Sequence, residues 1–149
     1  MITCKKEKPV YEELLRYMHY QVAEAFPHLR GEQRTKDFTD KLYAHACFCF
    51  CRDEGHLVGM IAYYANGEGA DFAYLAQVYV SPDYRRMGLC SRMLDLVAQD
   101  AGSKSFQEIR LEVYKYNKEA QHYYTDHGFV TMHENPDTLL LRKVIYDGK

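Results

Sequence analysis

The hydrophobic and polar positions of the N-terminal third predict a short strand followed by two helices. The strand is expected over residues 1–6, and Pro9 fits the first position of a helix that ends near Phe26. One face of this helix recurs at helical spacing and is mostly apolar: Val10, Leu14, Tyr17, Met18, Gln21, Val22 and Ala25. A second helix is expected from Glu32 to about Ala44.

Strands dominate the middle of the chain. They are expected at about 46–52 and 56–66, and residues 53–55 (Asp-Glu-Gly) form the hairpin turn between them. Residues 66–69 (Asn-Gly-Glu-Gly) predict a turn into a mostly buried strand over 74–80. No repeat, low-complexity segment or linker interrupts the chain, so we expect one domain over residues 1–149.

The segment after that strand combines two arginines and a glycine at the start of a helix. It reads Arg-Arg-Met-Gly-Leu-Cys over residues 85–90, and Leu89, Met93, Leu96 and Val97 continue at helical spacing. A helix N-terminus offers free N–H groups and a positive dipole end, so it can hold a phosphate, and Gly88 keeps a side chain out of the way. The spacing fits neither the Rossmann fingerprint nor the P-loop. A tight turn with solvated arginines remains the alternative on these residues alone.

A second informative pattern lies downstream. Residues 106–114 alternate as a strand, with Glu112 on the face opposite Ile109, Leu111 and Val113. Asn117 fits a helix N-cap, and Gly128 fits a left-handed C-terminal stop before a strand that begins at Phe129. Residues 135–137 (Asn-Pro-Asp) join the last two strands.

Two blocks in this order resemble the GNAT superfamily of N-acetyltransferases. The first is Val78-x-Val80-x-Pro82 leading into Arg85-Arg86-x-Gly88-x-Cys90, and the second is Leu111-Glu112-Val113 followed by Asn117, Ala120, Tyr124 and Gly128-Phe129. The resemblance covers residues 74–130. It implies an α/β (α+β) fold with a mixed, mostly antiparallel central sheet of six to seven strands and about four flanking helices. Cys90 stands where the family usually has Gly or Ala, and Met87 where it often has Gly.

The resemblance also implies acetyl-CoA as co-substrate. Its binding residues would be Val78, Tyr79, Val80, Arg85, Arg86, Met87, Gly88, Leu89, Cys90, Ser91 and Asn117. The N–H of Val78 would serve as the oxyanion donor, and the phenol of Tyr124 would protonate the leaving thiolate, with Tyr123 as the substitute if the register differs by one.

The acceptor is expected to be a primary amine of a small molecule or of a peptide N-terminus. An amine attacks only as the neutral base, yet an alkylamine has a pKa near 10.4, so a proton acceptor is needed. Glu112 is the candidate, with Glu68 and Tyr79 as alternatives, although pairing with Arg110 or plain solvation would also explain Glu112. The family's acceptor region points to these residues: Phe26, His28, Leu29, Tyr63, Tyr64, Tyr79 and Tyr114. A degenerate acyl-CoA sensor and a structural domain that binds nothing stay open.

Composition excludes some partners and narrows the role of the cysteines. The net charge is −2, which gives no electrostatic case for nucleic acid or an anionic membrane. No apolar run reaches transmembrane length and no secretory signal is recognised, so a cytoplasmic protein is expected, with a homodimer left open. Cys47, Cys49 and Cys51 share one strand face, and we expect them to pack beneath a helix, without metal and without disulfides.

Overall fold

The computed structural model describes residues 1–65 and 71–145, and its centre is one seven-stranded sheet. The strands are β1 (Ile2–Lys6), β2 (Cys47–Asp53), β3 (His56–Tyr64), β4 (Phe72–Val80), β5 (Glu108–Tyr114), β6 (Val130–Glu134) and β7 (Thr138–Val144). Their order across the sheet is β1-β2-β3-β4-β5-β7-β6. All neighbours are antiparallel except β4 and β5, which run parallel.

Helices cover both faces of the sheet. They are α1 (Tyr11–Tyr17), α2 (Ala23–Ala25), α3 (Glu32–His45), α4 (Leu89–Ser103) and α5 (Lys118–Asp126). A π-helical turn, Met18–Val22, joins α1 to α2, and 3-10 turns occupy Pro27–Leu29 and Pro82–Tyr84. If residues 11–25 are taken as one helical run, the predicted mixed, mostly antiparallel sheet with about four helices is confirmed.

Two hydrophobic cores hold these layers together. On one face, Met93 and Val97 of α4 pack with Cys49 and Ile61 of the sheet. On the other face, α1, the π-helical turn and α3 contribute buried apolar side chains against β2 and β3: Leu14, Met18, Leu42, Phe48 and Met60. Each helix therefore buries one apolar stripe, as its sequence spacing indicates.

The first helix differs from its prediction at both ends. Val10 precedes the helix and is 64% exposed, and Ala25 is also exposed. The π-helical turn explains the second error, because it shifts the helical phase so that Ala23 faces the core instead.

A bulge in β4 and the end of its pairing with β5 create an opening in the sheet. In the register with β3, Gln77 pairs with Ala62 and Leu75 with Tyr63, so Ala76 is the extra residue. On its other side β4 pairs with β5 only as far as Leu75 opposite Leu111. Beyond these residues the two parallel strands diverge.

The cysteines pack as expected on one face, but the expectation of no disulfide is wrong. Cys49 and Cys51 are buried in the core beneath α4, and Cys51 is joined to Cys4 by a disulfide. The register explains the bond, because Cys4 lies opposite Cys51 in the β1–β2 pair with a Cα–Cα distance of 4.1 Å. Cys47, Cys49 and Cys90 are free thiols.

None of the helices in the described part of the chain is both long and apolar enough to cross a membrane.

Candidate functional site

A cavity of about 300 Å³ lies where β4 and β5 diverge. It brings together side chains that the sequence places far apart, among them Tyr74, Glu112, Asn117 and Tyr124. Val78 of β4 also lines it. The rest of the lining is Phe26, His28, Leu75, Ala76, Gln77, Leu111, Val113, Tyr114, Ala120 and Thr138.

The backbone of β4 turns polar groups toward this cavity. The N–H of Ser81 donates to the carbonyl of Val58 in β3 at 2.8 Å. Backbone groups alternate sides along a strand, so the N–H and C=O of Val80 and Val78 point away from β3, toward the diverging β5. Consistent with this, the Val80 carbonyl accepts a hydrogen bond from Nε of Arg85 at 2.9 Å.

Glu112 is held by hydroxyl groups and has no cationic partner within the described residues. Tyr74 donates to its Oε1 at 3.3 Å, and Thr138 donates to its Oε2 at 2.9 Å. Arg110 pairs with Glu108 instead, at 2.6 Å. The pairing of Glu112 with Arg110 that the sequence left open is therefore absent, and the carboxylate remains exposed at the cavity.

Tyr124 presents a phenol to the same cavity. Its side chain is 8% exposed, and its ring packs edge-on against Tyr123 and Phe129. Burial raises the pKa of the Tyr124 phenol above its ordinary value, so the group stays protonated at neutral pH. Its hydroxyl makes no hydrogen bond within residues 1–65 and 71–145, which leaves the proton available for donation.

Tyr123, the substitute for Tyr124, does not line the cavity. Its hydroxyl lies 2.9 Å from Oγ of Ser91, and Nε2 of His127 lies 3.1 Å from the same oxygen. Nδ1 of His127 lies 2.7 Å from the Tyr123 carbonyl, which can only accept, so this nitrogen carries a proton. These contacts fix α5 against the first turn of α4. His127 therefore has a packing role, which its position four residues after Tyr123 on one helix face indicates.

The first turn of α4 has unpaired N–H groups. Gly88 precedes the helix with a φ of +77°, and its carbonyl accepts from the N–H of Arg92 at 3.1 Å, the first bond of the helix. The N–H groups of Leu89, Cys90 and Ser91 come before that bond and have no backbone acceptor in the described chain. A Cβ built on Gly88 meets nothing within 4 Å, so the backbone is open on this side.

The side chains of this segment differ in exposure. Arg85, Arg86 and Met87 are exposed, with Met87 at 56%, and Arg86 has a positive φ of 65°. Leu89 is buried in the core, so only its backbone can contact a ligand. Cys90 is half-buried, and burial raises the pKa of its thiol.

Asn117 caps α5 and lines the cavity at the same time. Its Oδ1 accepts from the N–H of Ala120 at 3.1 Å, as its N-cap position predicted. The predicted left-handed stop is also confirmed, because Gly128 has a φ of +91°. Val78 of the first sequence block and Glu112, Asn117 and Tyr124 of the second therefore line one cavity, whereas residues 85–91 do not line it.

Of the seven residues expected to line the acceptor region, three line the cavity: Phe26, His28 and Tyr114. The remaining four do not line it in the described chain: Leu29, Tyr63, Tyr64 and Tyr79. Tyr63 instead donates to Asp100 at 2.8 Å, and Tyr79 packs edge-on against Tyr17. Their pattern could not separate core from cavity, because tyrosine suits both.

Tyr79 and Glu68 were the two alternative candidates for the general base. Tyr79 is 6% exposed and lies away from the cavity, and burial raises the pKa of its phenol. Glu68 and the predicted turn at 66–69 lie outside the described residues.

Metal ligands are not clustered in the described chain. Within residues 1–65 and 71–145, no group of three or more His, Cys, Asp or Glu side chains could hold a metal ion.

Comparisons with known proteins show the family of this chain and its fold. The family model described as Acetyltransferase (GNAT) family matches residues 8–129. A bovine (Bos taurus) thialysine N-epsilon-acetyltransferase is 36% identical over 61 residues, which are 41% of this chain and 35% of that protein. The match thus spans about a third of that relative's length.

Solved structures share the fold. PaiA N-acetyltransferase from Thermoplasma acidophilum, solved in complex with coenzyme A, has a TM-score of 0.75 at 16% identity, over 95% of this chain and 99% of that one. The ribosomal-protein-S18-alanine N-acetyltransferase from Escherichia coli has a TM-score of 0.76 at 21% identity, over 100% and 97%. The resemblance drawn from the two sequence blocks is confirmed, and the chain belongs to the acetyltransferase (GNAT) family.

Proposed function

We propose that the protein transfers the acetyl group of acetyl-CoA to a primary amine, carried by a small molecule or a peptide N-terminus. The observation that carries this proposal is that Glu112, Tyr124 and the part of β4 that no longer pairs with β5 lie at one cavity. Family membership supports acyl transfer, and the related acetyltransferase solved with coenzyme A supports the choice of co-substrate.

The first turn of α4 fits the diphosphate of coenzyme A. Three unpaired N–H groups, those of Leu89, Cys90 and Ser91, lie at the positive end of the helix dipole, where anions are stabilised. Arg85 and Arg86 add exposed cationic side chains nearby. The backbone of Val80 then aligns the pantetheine arm, as an added strand would.

Glu112 accepts the proton that the amine loses. An alkylamine with a pKa near 10.4 is mostly protonated at neutral pH and cannot attack in that form. The hydroxyls of Tyr74 and Thr138 orient the carboxylate, and its exposure allows transfer directly or through one water.

The chemistry balances with two further groups. The amine nitrogen bonds to the acyl carbon, whose oxygen gains negative charge and is stabilised by the N–H of Val78, an interaction worth about 3 kcal/mol. The carbon–sulfur bond then breaks, and Tyr124 gives its proton to the sulfur, because the raised pKa keeps that phenol protonated. Solvent returns the proton to Tyr124.

Acetyl-CoA belongs to the cell interior, so the proposal places the protein in the cytoplasm. Reductants there would open the Cys4–Cys51 bond. Activity should survive this, because the bond lies between β1 and β2, away from the cavity beside β4.

Two measurements test the proposal. Acetyl-CoA at a hundred times its Kd should stabilise the protein by about 2.7 kcal/mol, which raises Tm by about 5–10 °C for a chain of this size. Free-thiol detection with a panel of primary amines then measures turnover. Stabilisation without thiol release would identify an acyl-CoA sensor, and no stabilisation at millimolar acetyl-CoA would refute the binding site.

A further inference from the structure

A row of four aromatic rings, those of Phe26, His28, Tyr114 and Tyr116, borders the cavity. The rings of Phe26 and His28 lie 5.9 Å apart, those of His28 and Tyr114 5.4 Å, and those of Tyr114 and Tyr116 5.1 Å. The first two follow α2, and the last two lie at the end of β5 and in the loop after it. The row therefore connects two separate segments across the cavity mouth.

The outer end of this row is unusually open. Tyr116 is 68% exposed and stacks on Tyr114 at an interplanar angle of 23°. A large aromatic side chain that is ordered by stacking yet faces solvent is typical of a binding surface. Tyr114 itself lines the cavity, so the stacked pair connects the mouth to the interior.

The charges of the cavity lining are as informative as its rings. Among the described lining residues Glu112 is the one carboxylate, and none is Lys or Arg. Partial desolvation lowers the pKa of the His28 imidazole, which favours its neutral form. The lining thus matches one ammonium group and offers no partner to a carboxylate or to a second cation.

We propose that the acceptor is an arylalkylamine, a monoamine whose nitrogen lies at Glu112 and whose aromatic ring stacks on His28 and Tyr114. This inference rests on the proposed acetyltransferase function and names the substrate class of the same site. The single ammonium pairs with the single carboxylate, and the aromatic body meets flat aromatic surfaces, for which offset or edge-on stacking is favourable.

Four amines that differ in one property each test the acceptor class. The reference is 2-phenylethylamine, and 2-cyclohexylethylamine keeps its skeleton without the π system. L-Phenylalanine adds a carboxylate, and 1,4-diaminobutane replaces the ring with a second cation. By kcat/KM from thiol release, the reference should exceed the saturated analogue by about 2- to 12-fold. It should exceed phenylalanine by at least about tenfold, because a desolvated carboxylate would lack a partner.

Variants test whether the row of aromatic rings causes the preference for the phenyl amine over the cyclohexyl amine. Tyr114→Leu should bring the phenyl and cyclohexyl amines to parity while acetyl-CoA still raises Tm. Tyr116→Leu changes an exposed side chain, so it serves if Tyr114→Leu does not fold, and it should reduce the preference. Tyr20→Leu is the matched control, since Tyr20 is also exposed but contacts the ring of His19, outside the row.

The outcomes separate this inference from the proposed function. Equal rates for the phenyl and cyclohexyl amines, or faster turnover of diaminobutane or of peptide N-termini, would overturn the arylalkylamine assignment and leave acetyl transfer standing. Stabilisation by acetyl-CoA without turnover of any amine would refute both. An aromatic preference that survives Tyr114→Leu and Tyr116→Leu would also overturn the assignment.

Discussion

Replacement of Tyr124 by phenylalanine should separate catalysis from stability. The phenol has no hydrogen-bond partner in the described structure, and phenylalanine keeps the edge-on ring contacts with Tyr123 and Phe129. The free energy of unfolding should therefore change by less than about 0.5 kcal/mol. Loss of a positioned proton donor typically costs about 10²- to 10⁴-fold in rate, or about 3–5 kcal/mol of barrier.

The neighbouring tyrosine provides the matched control. Tyr123→Phe removes the 2.9 Å contact with Ser91, so it should cost about 1 kcal/mol of stability and change kcat by less than about threefold. Tyr124→Phe should thus lower the rate and leave stability unchanged, whereas Tyr123→Phe should lower stability and leave the rate nearly unchanged.

The assay needs three readings for each variant. Thiol release at saturating acetyl-CoA gives kcat, calorimetry gives the Kd of coenzyme A, and urea unfolding gives stability. Burial raises the pKa of Tyr124 in the folded protein above the unfolded value near 10. The contribution of this phenol to the free energy of unfolding is therefore complete below pH 10 and is lost as the pH rises further. Undiminished kcat in Tyr124→Phe, or an equal loss in Tyr123→Phe, would remove Tyr124 from the mechanism.

Three further outcomes are expected. Gly88→Glu should abolish coenzyme A binding by calorimetry with cooperative unfolding intact. Gly102→Glu, near the far end of α4 and also open around its Cβ position, should bind normally. Glu112→Gln should flatten the acidic limb of the pH–rate profile, and an unaltered limb would point to another base. Reduction of the Cys4–Cys51 bond, which spans 47 residues, should lower stability by up to about 4 kcal/mol in urea unfolding without changing kcat.

Local sequence patterns predicted most elements and the two segments that contain the candidate site residues. Turn and cap residues act over a few positions, so Gly88, Asn117 and Gly128 could be assigned without the tertiary structure. The helix after Gly88 and the strand of Glu112 followed from apolar periodicity for the same reason.

Features that depend on strand register could not be predicted this way. The Cys4–Cys51 bond requires β1 to pair with β2 in one register, and its partners are distant in the chain. The hydroxyls that hold Glu112 come from β4 and β7, on either side of its own strand. One local signal was available, since Arg110 and Glu108 share a strand face two residues apart, which favours their pairing.

The π-helical turn at Met18–Val22 lets the chain absorb one extra residue without moving Phe26 from the cavity. Such a turn is equivalent to inserting one residue into an α-helix, and each residue advances an α-helix by about 100°. Deleting one residue there would restore regular α-helical winding and leave everything downstream, including Phe26, at nearly the same angle about the helix axis. Relatives with and without this extra residue would then keep the same side chains at the cavity, so the length of this segment can vary without disturbing the sheet.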